Sequence, residues 1–276
     1  MNLEQMKQKY LQYVFLTLRK GSYEFYNVHL KYLIKYFNEN QIFDSDEINS
    51  LVISDFVFYE RCKKNTNSTI NKRILALKNM FKYNNILNND IISISKFREE
   101  KNTFLALTNS EVERLINYLN LNVLKEQNKL LIYLLIDTGA RISEILNIKI
   151  SNINYSNNTI YLDVTKTHNC RCVPFTQATK ILLKKYIEEN NLTKTDKLFN
   201  LTISAVESLF RRIKDRLKLN KFHPHMLRHT LATKLHKNGV SIMIVQKIMG
   251  HKNISTTERY IHFDLDDVLH AYHSVM

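Results

Sequence analysis

The chain has 276 residues, a length that suits two domains at roughly 150 residues each. With 44% hydrophobic and 24% charged residues it has the makings of a sizeable core, while 4 glycines and 2 prolines are too few for a turn-dense all-β fold. Forty Lys and Arg against 26 Asp and Glu leave a net charge of +14, which suits a polyanionic partner, nucleic acid first, and suits a merely solvated basic surface about equally well.

Three cysteines cannot form a multi-bridge framework, and Cys170-Arg171-Cys172 offers two thiols with no second pair, so they read as reduced cysteines rather than a metal site. The stretch Met1–Lys7 has no apolar signal-peptide core, and the longest apolar run, Leu130 to Ile136, falls far short of the roughly 20 residues that span a bilayer. The expectation is a soluble cytoplasmic protein with no membrane contact.

In the first third, apolar residues recur at helical spacing. Leu3, Met6, Tyr10 and Tyr13 mark one helix; Tyr26, Leu30, Leu33 and Phe37 a second; Ile70, Ile74, Leu77 and Phe81 a third. Asp44-Ser45-Asp46-Glu47 and Asn65-Thr66-Asn67-Ser68 supply polar residues that begin helices. The third helix carries Lys72, Arg73, Lys78 and Lys82 off its apolar face, a basic flank suited to DNA phosphates. These features predict a helical domain over residues 1–95. Residues 96–106 lose the periodicity and read as a linker, with the loss beginning near Ser93. A second domain, 107–276, opens on a capping box in which Thr108 and Glu111 satisfy each other's backbone donors. Residues 1–100 hold 15 basic and 11 acidic side chains and the rest 25 and 15, so the second domain is the more basic.

That domain reads as helical except for one stretch. Ile148–Ile150, Asn154-Tyr155, Thr159–Val164 and Arg171–Pro174 predict short strands, with turns at Asn157-Asn158 and Thr167–Asn169. Helices resume near Ala178. The whole is mainly α with a small antiparallel β-sheet.

Three segments gather polar groups where apolar packing is otherwise expected. In Thr138-Gly139-Ala140-Arg141-Ile142-Ser143-Glu144, Arg141 and Glu144 lie one turn apart on a helix, which suits either a plain surface pair or a site. In His223-Pro224-His225-Met226-Leu227-Arg228-His229, Pro224 suits a helix start and places His225 and Arg228 on one face. Histidine moves a proton near neutral pH and arginine grips two phosphate oxygens at once. A zinc site from His223, His225, His229 and His251 is the competing reading, weakened by the lack of a carboxylate at ligand spacing. In Gly250-His251-Lys252-Asn253-Ile254-Ser255-Thr256-Thr257-Glu258-Arg259-Tyr260, a glycine ends one helix and a Ser-Thr-Thr cap begins another carrying Tyr260, one of 15 tyrosines.

The three segments, in this order, resemble the tyrosine recombinases, or phage integrase family: T-G-x-R-I-S-E-I-L at 138–146, H-x-L-R-H-T-x-A-T at 225–233 and G-H-x-x-I-S-T-T-x-x-Y-x-H at 250–262. The resemblance extends over almost the whole chain. It implies an amino-terminal helical core-binding (SAM-like) domain followed by the family's catalytic domain. It assigns Arg141 and Arg228 to the non-bridging oxygens of a scissile phosphate, Tyr260 to the nucleophile, His225 to proton handling and His251 to phosphate contact. Lys166, between two strands, matches the hairpin lysine that protonates the departing 5′ oxygen, with Lys149 as the nearby alternative. Glu144 matches the acidic residue that supports the first arginine, and His229 and His262 fit structural roles. The tail after Ile261, with Leu265, Val268, Leu269 and Tyr272 at helical spacing, resembles the segment that docks on a neighbouring protomer.

The chemistry needs such a set. Transfer through a phosphodiester gathers negative charge in the transition state, which two arginines meet. A tyrosine titrates near 10 and must lose its proton as it attacks, and the 5′ alkoxide leaves only with a general acid. A phosphotyrosine keeps the bond energy, so neither ATP, metal nor other cofactor is expected, in keeping with the lack of a Walker motif or an acidic two-metal cluster. The expected partners are double-stranded DNA with specific recombination sites and other copies of the chain, four protomers on two sites. The start of the chain directly on the helical domain favours a simple Xer-type recombinase or a compact mobile-element integrase over integrases with an extra arm-binding domain. The rival is a catalytically silent DNA-binding regulator on the same fold.

Overall fold

A computed structural model describes residues 1–99, 106–121, 123–162 and 170–250. The chain divides into two compact units, 1–102 and 103–276.

The first unit is helical. α1 (Leu3–Thr17) starts where the Asn2 side chain accepts the backbone N–H groups of Glu4 and Gln5. α2 (Lys20–Glu39) and α4 (Asn67–Tyr83, capped by Thr66) follow the expected apolar spacing, and Leu30, Leu33, Phe37, Ile70, Leu77 and Phe81 are all buried. Between them stands α3 (Ser50–Cys62), which the spacing analysis leaves out. Its apolar residues do not form one stripe: Phe56 and Val57 are buried while Leu51 and Phe58 face solvent. Asp44 and Glu47 cap only a short 3-10 turn, and the cap of α3 is Asn49.

After the single turn α5 (Asn89–Ile92), the chain has no regular element but is not loose. Asn71 on α4 donates to the Phe97 carbonyl and accepts from the Phe97 N–H, both at 2.9 Å. Lys78 donates to the carbonyls of Ile92 and Ile94 at 3.0 and 2.7 Å, and Ile94 and Phe97 pack against the core. The stretch where periodicity fades is thus strapped along α4.

The second unit is built around α7 (Glu126–Thr138), whose Leu130, Leu131, Ile132, Leu134 and Leu135 are buried on every side. α6 (Asn109–Asn120) begins with the Thr108–Glu111 capping box. After the one-turn α8 (Ile142–Ile145) comes a three-stranded antiparallel sheet of β1 (Ile153–Asn154), β2 (Thr159–Leu162) and β3 (Arg171–Pro174), in that order. Ile160 lies opposite Val173 and Leu162 opposite Arg171, and all four are buried. Ile148–Ile150 is not a strand of this sheet. Lys149 makes one isolated bridge to Lys197, and residues 150–152 turn as a 3-10 helix. α9 (Gln177–Glu189), α10 (Ile203–Arg216), α11 (Pro224–Lys237) and α12 (Ile242–Met249) complete the described part. The expected strand end at 163–164, the turn at 167–169 and the carboxy-terminal helix lie outside the described residues. Among the described residues no helix is long and apolar enough to cross a membrane.

Two basic residues depart from the expected outward flank of α4: Lys78, held by the Ile92 and Ile94 carbonyls, and Arg73. Arg73 turns inward, pairs with Glu60 on α3 and lies over the Tyr32 ring, 3.5 Å from its centroid. The Glu60 side chain, 0% exposed, also accepts from Tyr32 Oη at 2.9 Å and from Asn65 at 3.2 Å. Removing one member of such a pair strands the other charge in the interior. Arg73→Met is expected to cost about 3–5 kcal/mol of stability, and Glu60→Gln in the same chain should return part of it. Denaturant unfolding that shows no loss for Arg73→Met would contradict a buried pair.

Candidate active site

Two helices end in the same manner at the site. α7 stops at Gly139 (φ 57°) and α12 at Gly250 (φ 64°), both in the left-handed conformation that glycine adopts without strain. They also pack closely. A Cβ at Gly139 would come within 2.9 Å of Met249 Cε and 3.0 Å of Leu231 Cδ2, and one at Gly250 within 2.6 Å of Arg171 Nη1. At Gly139 the turn is fixed by the buried Thr138, whose hydroxyl donates to the Leu134 carbonyl at 2.6 Å and accepts from the Ala140 N–H at 3.2 Å.

Arg228, on α11, is buried between these two helix ends. Its Nη1 donates to the Gly139 carbonyl at 2.7 Å and its Nη2 to the Met249 carbonyl. The carbonyl end of a helix carries partial negative charge, so two helix termini hold this cation. The same two bonds stitch together segments 138–144, 225–229 and 249–250, which are far apart in sequence.

Arg141 opens α8 as its first cap residue. Its backbone N–H donates to Glu144 Oε2 at 2.7 Å and its Nη1 to Glu144 Oε1 at 2.9 Å. Glu144 is also held by Arg171, from β3: Nη1 meets Oε1 at 3.0 Å and Nη2 meets Oε2 at 2.8 Å. Burial raises the pKa of Glu144, but the bonds from Arg171 and Arg141 outweigh it and keep the carboxyl below the usual range. The pair expected on a helix face is therefore a three-member cluster, and Arg171 is the member sequence reasoning missed. A signal was present, since Arg171 shares the inward phase of β3 with Val173.

His225 is solvent-accessible at the edge of the site. Partial desolvation and the positive charges of Arg228, His223 and Arg141 lower its pKa, with Glu144 pulling the other way, a balance that favours the neutral ring. His229, one turn on and buried, stacks with it at 6.5 Å between centroids. Among the described residues no group of three or more His, Cys, Asp or Glu is placed to hold a metal ion. Lys149 is exposed. Lys166, His251, Tyr260 and His262 lie outside the described residues.

The model of the phage integrase family matches residues 106–266. XerA, a tyrosine recombinase of Saccharolobus solfataricus, is 34% identical over 214 residues, covering 78% of this chain and 70% of that protein. A probable integrase/recombinase of Acholeplasma phage L2 is 28% identical over 283 residues, covering 99% of this chain and 97% of that protein. Among solved structures, the XerH site-specific recombinase bound to its difH substrate superposes with a TM-score of 0.74 at 25% identity, over 91% of this chain and 78% of that one.

The buried histidine gives a measurable pH dependence. Burial first, then the charges of His225, His223 and Arg228, depress the pKa of His229 from 6.5 to about 4. The unfolded chain then binds a proton that the folded chain refuses, so stability is full above about pH 6.5 and falls as pH drops toward 4. The whole shift is worth roughly 3 kcal/mol. Denaturant unfolding of the wild type and of His229→Gln should show the acid loss reduced in the variant, and identical pH dependence would contradict the assignment. With the motifs in family order, the fold matched and a family model spanning more than half its length, the chain belongs to the phage integrase family of tyrosine recombinases.

Proposed function

We propose that this chain is a site-specific recombinase that breaks and rejoins duplex DNA through a covalent 3′-phosphotyrosine on Tyr260. The observation that carries this reading is the convergence of Arg141 and Arg228 about the Gly139 turn, with His225 on the same helix as Arg228. Two guanidinium groups match the two non-bridging oxygens of a scissile phosphate, in charge and in bonding geometry.

In the proposed step, the Tyr260 oxygen attacks phosphorus and gives its proton to His225. The bond from phosphorus to the 5′ oxygen breaks, and Lys166 protonates that oxygen. His251 contacts the phosphate. Attack by a 5′ hydroxyl of the partner strand reverses the sequence and releases Tyr260, so the exchange proceeds through a Holliday junction with no net consumption of bond energy. Neutral imidazole suits the role, because a cationic ring has no lone pair to take the proton.

The first domain, taken as 1–95, would grip the duplex along with the catalytic domain, taken as 107–276. Of its four basic candidates, Lys72 and Lys82 are exposed, whereas Arg73 and Lys78 are engaged within the unit. The DNA-facing role therefore rests on Lys72 and Lys82. Four protomers on two sites, tied by the carboxy-terminal helix, would complete the machine. Its work would be on cytoplasmic DNA, in the nucleoid.

The test uses the duplex that the full chain enriches from a random-sequence pool, nicked a few nucleotides beyond the scissile phosphate so that the short fragment bearing the freed 5′ hydroxyl diffuses away. Tyr260→Phe should bind this duplex with near wild-type affinity and form no covalent adduct, since only the hydroxyl is lost. An adduct from Tyr260→Phe, or none from the wild type, would contradict the reading, the latter in favour of a silent DNA-binding regulator. Lys166→Ala should cleave slowly and recover when sulfur replaces the bridging 5′ oxygen, because a thiolate leaves without a proton. Equal slowness on both substrates moves the role to Lys149 or another group.

A further inference from the structure

Arg171 belongs to none of the three motif segments, yet it is the most deeply placed cation of the Glu144 cluster. Its side chain is 8% exposed and that of Glu144 6%, while that of Arg141 is 36% exposed. Of these three side chains, Arg141 is the one open to solvent.

The bonding is saturated on the carboxylate side. Each Glu144 oxygen takes one bond from Arg141 and one from Arg171, filling the four sites a carboxylate presents. The charges do not cancel. Two guanidinium ions on one carboxylate leave a net positive charge, borne at the accessible end by Arg141. Without Arg171 the pair of Arg141 and Glu144 would be neutral overall, and a buried carboxylate with nothing else to hold would draw the remaining guanidinium onto itself. Arg171 is also the side chain against which Gly250 rests, with no room there for a Cβ. Gly250 is bonded directly to His251, so the same guanidinium buttresses the backbone from which that histidine departs. One arginine thus touches both the support of the phosphate-facing Arg141 and the start of the segment leading to Tyr260.

We infer that Arg171 is a positioning residue for strand cleavage, one that neutralises Glu144 from behind so that Arg141 keeps its charge and orientation for the scissile phosphate. This rests on the reading of Arg141 as a phosphate clamp, and the test separates the two. The probe is the nicked duplex described above, made with either the normal scissile phosphate or a methylphosphonate, in which a methyl group replaces one non-bridging oxygen and removes the negative charge. A neutral centre gains little from a cation, so a defect in positive charge at the site is relieved on methylphosphonate and a defect in folding is not. The quantity read is the ratio of cleavage rates on the two substrates for each full-length variant, which does not depend on the fraction of active protein.

Arg141→Ala is expected to raise the ratio of methylphosphonate to phosphate cleavage at least tenfold over wild type. Arg171→Met should raise it in the same direction by a comparable factor, and Arg171→Lys, which keeps the charge but loses one of the paired bonds, by less. If Arg141→Ala shifts the ratio and Arg171→Met leaves it at the wild-type value, Arg171 is packing only and the inference is overturned. If Arg141→Ala itself leaves the ratio unchanged, the phosphate clamp fails and the inference falls with it.

Discussion

Gathering positive charge in one place requires something to hold it there, and that constraint organises the second unit. Arg141 and Arg171 meet at Glu144, Arg228 lies between the Gly139 and Met249 carbonyls, and like charges gathered in this way repel unless matched. The matching is economical: one carboxylate, Glu144, serves Arg141 and Arg171, and the carbonyl ends of α7 and α12 serve Arg228. Neither device cancels the charge it restrains. Helix ends contribute partial charges, and a single carboxylate is shared by two guanidinium groups, so the cluster keeps a positive face for an anion.

The glycines follow from the same arrangement. Gly139 and Gly250 end the two helices whose carbonyls must point at Arg228, and each does so with positive φ in a place where a Cβ would collide. Thr138 sets the geometry of the first of these turns from inside the helix. The short motifs around Arg141 and Gly250 therefore carry the backbone chemistry of stopping a helix against an arginine. The first unit shows the structural use of similar parts: Arg73 pairs with the buried Glu60, which also accepts from Tyr32, and there the charges close on each other.

Much of this was legible in the sequence wherever a local rule applied. Apolar spacing located α1, α2 and α4, the Thr108–Glu111 pattern located the start of α6, and Pro224 located the start of α11. α3 escaped because its apolar residues face both ways. Ile148–Ile150 reads as a strand because β-branched residues alternate there, but only Lys149 finds a bridging partner. The motif order brought Arg141, Glu144, His225 and Arg228 forward as a set. What sequence reasoning could not supply was the partner of Glu144, since Arg171 comes from another element and lies 27 residues away. Nor could it tell inward from outward on α4, where Arg73 turns to a charge on a different helix.

Identification of the protein–DNA linkage tests the central claim most directly. The wild-type chain trapped on the nicked duplex, digested with protease and nuclease, should yield one nucleotide-bearing peptide, with the nucleotide on the Tyr260 oxygen through its 3′ phosphate. Linkage to another residue, or through a 5′ phosphate, would contradict the account, because the arginine cluster and His225 would then be serving a different reaction.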